Sequence, residues 1–277
     1  MDPRLTPVPL ADAGDEGIFG GKAVSLGAAL RAGLPVPPGV ALAAPFVDAV
    51  AAANQRAIEA LLQCGSLPPG EWAVRSSAVG EDSGGASFAG QHATLLNVTP
   101  AGLVDAVCDV WQSGRADAAI AYRARRGIAG APAIGVVVQQ LVDPVAAGVL
   151  FTRNPITGAD ERMIEAAWGL GEVVVSSRVV PDYYRLAADG GILEQVPGDK
   201  DVRVARDGNG GTVELAVAED LRRVPCLKPL HLQRLHALAG RCQAVWGRDL
   251  DLEFAIAADD TVYLLQSRPI TTGRQPA

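Results

Sequence analysis

The sequence predicts an α+β fold built as two lobes, on three observations. Strand-like and helix-like segments are mixed along the chain without regular βαβ alternation, which argues against a doubly wound parallel sheet. The last element reads as a hairpin, LDLEFAIA and VYLLQSRP around Asp259–Asp260. The chain has 277 residues, 49% of them hydrophobic and 20% charged, enough for one large core or two smaller ones. The same figures exclude disorder as the dominant state.

The elements follow in order. Ala23 to Ala32 reads as a helix with Leu26, Ala29 and Leu30 as its apolar positions. Gly33 caps it, and Pro35, Pro37 and Pro38 stop its continuation. Pro45 to Leu62 reads as a second amphipathic helix, ended by CGSLPPG. WAVRSSAV, from Trp72, is a short strand that runs into a glycine-rich segment, Gly80 to Gln91. Leu103 to Arg126 reads as helix with Val104, Val107, Cys108 and Trp111 on one face. Strands are expected over Ala133–Val142, with Gly135 inside, and over Gly148–Thr152, Arg162–Glu165, Tyr183–Leu186 and Val202–Val204. Leu230 to Trp246 is a helix before the final hairpin.

Composition narrows the function. The net charge is −7 with no basic block, so a protein that binds nucleic acid by neutralising phosphates is not expected. Arg123, Arg125 and Arg126, the densest basic run, read as a solvated helix face. Cys64, Cys108, Cys226 and Cys242 form no CxxC pair and read as reduced residues. His92 is isolated, and His231 and His236 are five apart, a spacing that does not stack them on a helix. The start, MDPRLTPVPLADAG, has no secretory pattern, and Pro132 to Phe151 is interrupted by Gln139, Gln140 and Asp143. A cytoplasmic protein without a membrane partner is expected.

Four segments are candidates for chemistry. Gly20-Gly21-Lys22 opens a helix, where the backbone can approach an anion and the lysine adds a positive charge. It lacks the Walker A spacing, because Glu16 and Ala23 stand where glycine and Ser/Thr are needed. Alone, it fits a turn before a helix with a solvated lysine better. Arg75-Ser76-Ser77 at a strand end leads into the glycine-rich segment, which carries Phe88 and reads as a flap able to close over phosphates. Third, a two-residue turn at Asp259–Asp260 places Glu253 opposite Gln266. One hairpin face then carries Asp251, Glu253, Gln266 and Arg268, and the other carries Leu252, Phe254, Tyr263 and Leu265. A carboxylate beside an amide oxygen suits Mg²⁺, and an arginine can fork onto a phosphate, though a solvated polar face has the same pattern. Fourth, Glu165 to Glu172 (EAAWGLGE) reads as a tight loop with buried Trp168.

Five blocks together carry a resemblance: GGKAVSLGAALRAGLPVPPG; VRSSAVGED with SFAGQ and LLNV; GVLFTRNP; EAAWGLGE with VVPDYY; and LDLEFAI with LLQSRPIT. In this order they resemble the N-terminal nucleotide-binding region of the phosphoenolpyruvate synthase and pyruvate phosphate dikinase family, which includes rifampin phosphotransferase. SFAGQ favours the synthase-like branch, since dikinases carry a methionine-rich loop there. The resemblance implies an ATP-grasp fold whose two lobes hold ATP, with lobes over 1–139 and 140–272 and a tail over 273–277. It implies Mg²⁺ and ATP as cofactors and transfer of the β-phosphoryl group to a histidine, with release of AMP and phosphate. Carried over by motif, Lys22 and Arg75 contact phosphates, and the loop with Ser87, Gly90 and Gln91 folds over them. Glu253 and Gln266 hold Mg²⁺, and Arg268 lies on the phosphates. Gln139, Gln140, Leu141 and Val142 form an inter-lobe strand whose backbone meets adenine, and Glu165 neighbours ribose or phosphate. Lys22, Arg75 and Arg268 are the expected catalytic residues.

The family's phosphorylated histidine sits in a TSGG-type motif on a swivelling domain, and none of the three histidines here lies in one. Only the tail over 273–277 follows the second lobe, so the expected acceptor is a histidine on a separate partner protein or domain. A free-standing ATP-grasp kinase or ligase with a small-molecule acceptor is the alternative. A non-catalytic nucleotide-binding module is disfavoured, because Lys22, Arg75, Glu253, Gln266 and Arg268 occur together.

Overall fold

A computed structural model describes residues 4–79, 93–116 and 132–270. The chain divides into two compact units, one of Met1–Arg31, Pro37–Leu141 and Gly208–Gly211, the other of Ala32–Val36, Val142–Asp207 and Thr212–Ala277. Each unit combines helices with an antiparallel sheet, so the α+β class holds.

In the first unit the strands are β1 (Val8–Pro9), β2 (Gly39–Leu42), β3 (Trp72–Ala78), β4 (Thr94–Val98) and β5 (Ile134–Gln140). They form a sheet in the order β1-β2-β5-β3-β4. Every residue of β3 is buried, because both faces of this interior strand are covered. Helices Ala44–Ala51 and Leu103–Ser113 pack on the sheet through Phe46, Val47, Val50, Val107 and Val110.

The single helix expected over Pro45–Leu62 is two helices, Ala44–Ala51 and Gln55–Leu62. Ala53 takes a left-handed conformation (φ 56°), and the Asn54 side chain caps the second helix by accepting from the backbone N–H groups of Arg56 and Ala57. The helix expected to reach Arg126 ends at Ser113, before Gly114, and 117–126 lie outside the described residues.

The second unit holds β6 (Pro144–Phe151), β7 (Glu161–Trp168), β8 (Asp182–Ala187), β9 (Ile192–Val196), β12 (Leu250–Ala257) and β13 (Val262–Pro269) in the order β13-β12-β6-β7-β8-β9. A separate hairpin pairs β10 (Val202–Arg206) with β11 (Thr212–Ala216). Side chains alternate across the six-stranded sheet. Leu150, Ile164, Tyr184, Leu252 and Phe254 point to one face and are buried. Helix Pro229–Trp246 covers that face with Leu232, Leu235, Leu238 and Cys242, and its Gln243 accepts a hydrogen bond from Arg162. Gly33 ends helix Gly21–Arg31 in the left-handed region (φ 70°), after which the Pro35 carbonyl accepts from the Leu264 N–H.

Glu165–Trp168 is the end of β7 and not a loop, and Trp168 is half-exposed, with its indole N–H on the Leu221 carbonyl. Its short apolar run has strand propensity that the flanking glycines obscured. All four cysteines are free thiols; burial pushes Cys242 up to about 12, so it is no nucleophile at neutral pH.

Candidate functional site

The first unit gathers Lys22 and the Arg75-Ser76-Ser77 segment. Lys22 is the second residue of helix Gly21–Arg31, and its Nζ donates to the Ser76 carbonyl over 2.8 Å. It is not solvated: only 7% of it is exposed. The helix start is fixed by Ser77, whose Oγ accepts from the Ala23 N–H at 2.9 Å. Arg75 lies within β3, not at its end, opposite Thr94 and Val137, and is buried. Alternation puts Arg75 and Ser77 on one face of β3, the face on which the helix begins. Two buried cationic side chains beside a helix N-terminus favour an anion. Ser87, Gly90 and Gln91 lie outside the described residues.

The segment from Gln139 to Val142 is strand only through Gln140; Leu141 and Val142 form its exit. The Gln139 side chain turns inward and donates to the Pro37 carbonyl at 2.9 Å. The N–H groups of Gln140 and Leu141 are bound to the carbonyls of Pro38 and Glu71. Neither backbone N–H is therefore left to donate to a ligand.

In the second unit, Glu253 stands opposite Gln266 and Asp251 opposite Arg268. The expected two-residue turn is wrong. Ala257 pairs with Thr261, leaving Ala258, Asp259 and Asp260 in the turn, with Asp260 left-handed (φ 65°). A bulge at Leu265 then shifts the register back by one. Between the two, Tyr263 and Leu265 are half-exposed, and Val262 and Leu264 fill the apolar face instead.

The register extends across the sheet. Gln266, Glu253, Val149, Glu165 and Tyr183 form one cross-strand row, and Arg268, Asp251, Phe151, Met163 and Arg185 form the next. Glu165 thus shares a face with Glu253 and Gln266, with Val149 between. The Arg268 guanidinium holds one oxygen of Asp251 through Nε (2.8 Å) and Nη2 (2.7 Å). Burial raises the Asp251 carboxyl above its ordinary value, and Arg268 opposes that shift. Strand alternation alone puts Asp251 on this face, and the signal for its pairing with Arg268 is the hairpin register, in which the two residues stand opposite.

A cavity of about 350 Å³ lies between the short helix Glu172–Val175 and the β10–β11 hairpin, lined by Glu172, Arg178, Thr212 and Glu214 among others. Burial raises the Glu172 carboxyl, and Thr212 partly offsets it. Among the described residues no group of three or more His, Cys, Asp or Glu side chains could hold a metal ion. None of their helices is long and apolar enough to cross a membrane.

Known proteins agree with the resemblance. The family model described as pyruvate phosphate dikinase, AMP/ATP-binding domain, matches residues 42–277. The prodigiosin synthesizing transferase PigC of Serratia marcescens is 40% identical, over 93% of this chain and 32% of its own. A probable phosphoenolpyruvate synthase of Methanothermobacter thermautotrophicus is 36% identical, over 93% of this chain and 44% of its own. A rifampicin phosphotransferase of Streptomyces sviceus is 39% identical, over 73% of this chain and 23% of its own. The chain spans less than half the length of these relatives. It belongs to the pyruvate phosphate dikinase AMP/ATP-binding domain family.

Proposed function

We propose that this chain is the ATP-grasp, Mg-ATP-binding component of a phosphotransferase, and that it passes a phosphoryl group, the β-phosphoryl of ATP, to a histidine on another protein or domain. The single observation that carries this reading is the row in which Glu253 and Gln266 stand side by side, next to Arg268, in a chain of this family. A carboxylate and an amide oxygen are hard donors of the kind Mg²⁺ takes, and two protein ligands leave the rest of an octahedron to phosphate and water. Glu253 and Gln266 would hold the ion, which supplies charge neutralisation at phosphate oxygens. Lys22 and Arg75 would supply phosphate contacts, and their burial strengthens their pull on an anion. Phosphoryl transfer asks little beyond such positioning and charge stabilisation.

The test is to incubate the protein with Mg-ATP and candidate acceptors, then identify the nucleotide product and any phosphorylated species. AMP formed only with a histidine-bearing partner supports the proposal. ADP or AMP formed with a small acceptor alone supports a free-standing kinase or ligase, a reading that the name of the prodigiosin-synthesizing relative keeps in play. Absence of ATP binding sinks both.

A further inference from the structure

We propose that Ser77 is the positioning residue for the Lys22 amine, an inference that rests on the phosphate role given to Lys22 above. Gly20 has φ 80°, and a Cβ there would stand 1.9 Å from the Ser77 carbonyl oxygen. Gly135, directly opposite Ser77 on β5, has no room for a side chain either: its Cβ would meet the Phe19 carbonyl oxygen at 2.5 Å. The Phe19–Gly20 turn therefore lies against the Ser77–Gly135 pair with backbone touching backbone.

That seat sets where helix Gly21–Arg31 begins. Its first turn has N–H groups without partners inside the helix. One of them, that of Ala23, is capped by Ser77, 54 positions along the chain, through its Oγ. One residue earlier in the helix, the Lys22 Nζ reaches the carbonyl of Ser76, the strand neighbour of the capping serine. Cap and carbonyl together hold the helix start at two points, and a long flexible amine is kept in one place on a rigid strand. Ser77 is fully buried and makes this contact inside the protein, so it acts through Lys22 and not on the nucleotide.

The chain has three lysines in three settings, which makes amine acylation read by mass spectrometry a clean probe. Lys22 is held by Ser76, Lys200 is fully buried on Asp182, and Lys228 is 65% exposed. In Ser77→Ala, Lys22 should label about tenfold faster, the equivalent of a lost cap, while Lys200 and Lys228 keep their wild-type rates. Ser77→Cys keeps the volume and weakens the acceptor; it gives the same change in smaller measure and serves if the alanine variant does not fold. ATP affinity should fall about tenfold in Ser77→Ala but hardly further when the substitution is added to Lys22→Met. Unchanged Lys22 labelling, or fully additive losses, overturns the proposal. Failure of the wild-type protein to bind Mg-ATP would sink the functional reading instead, and the labelling result would still decide whether Ser77 positions Lys22.

Discussion

Glu253 on β12 lies directly across from Gln266 on β13, although the turn between the strands is one residue longer than a regular ladder through this pair would require. The left-handed Asp260 adds a residue at the turn, and the bulged Leu265 removes the offset before the pair is reached. A bulge is a common way to re-aim side chains beside a site.

If that pair holds the metal, Glu253→Gln should lower Mg-dependent ATP affinity about a hundredfold while leaving the fold intact, because the amide keeps the shape and removes the charge. Titration calorimetry with and without Mg²⁺ reads this directly. A variant with wild-type Mg²⁺ dependence would remove Glu253 from the metal site.

Two glycines of similar φ should behave differently. Gly33 (φ 70°) has open space where a Cβ would go, so Gly33→Ala should cost about 1 kcal/mol, from backbone strain alone. Gly20 (φ 80°) has the same strain plus a clash with the Ser77 backbone at 1.9 Å, and Gly20→Ala should cost about 4 kcal/mol or prevent folding. Denaturant melts of the two variants side by side check this. Equal losses would mean that the Phe19–Gly20 turn can move off its seat.

These positions also show what was legible in the sequence. The strands of the last hairpin run over Leu250–Ala257 and Val262–Pro269, as their alternation implies, since period two is a strong local signal. The turn was misread because a left-handed aspartate has no marker as clear as glycine, and the pair came right only because two one-residue errors cancel. The break at Ala53 was hidden for the same reason: Asn54 is a cap signal, yet an alanine at φ 56° is not. Arg75, Ser76 and Ser77 were readable as a motif, but the contact with Lys22 was not, because no local pattern joins residues 54 apart. The row linking Glu165 to Glu253 likewise depends on β6 pairing with both β7 and β12, a matter of topology.

A buried ion pair anchors the second unit. Lys200 and Asp182 are both fully buried and paired, and Asp182 also accepts from the N–H groups of Gly198 (2.8 Å) and Cys226 (2.7 Å). Burial is tolerable here only because the carboxylate is so fully bonded. Lys200→Met should therefore cost about 3–5 kcal/mol by stranding Asp182, a loss visible in thermal melts and absent from ATP affinity once the protein is folded. A neutral result would mean that the remaining donors suffice for the carboxylate.

The tip of the hairpin is tied down by charge. Asp260 Oδ1 accepts from Lys228 Nζ and faces His231 Nε2, each at 2.8 Å, and Arg234 donates to the Asp260 carbonyl. The Lys228 N–H donates to His231 Nδ1 at 3.2 Å, which leaves Nε2 to carry the proton toward Asp260. The hydrogen bonds from Lys228 and His231 hold the Asp260 carboxyl down at about 2, against 3.8 for the ordinary group. A depressed native pKa means that the unfolded chain binds more protons between these values, so this contribution is complete above about 4 and lost as pH falls toward 2. Asp260→Asn tolerates the left-handed conformation and removes only the charge. Its melting temperature should be lower than wild type at pH 7, and the two should converge as pH falls from 4 to 2. Parallel melting curves across that window would show that the turn is held by its backbone geometry and not by the carboxylate.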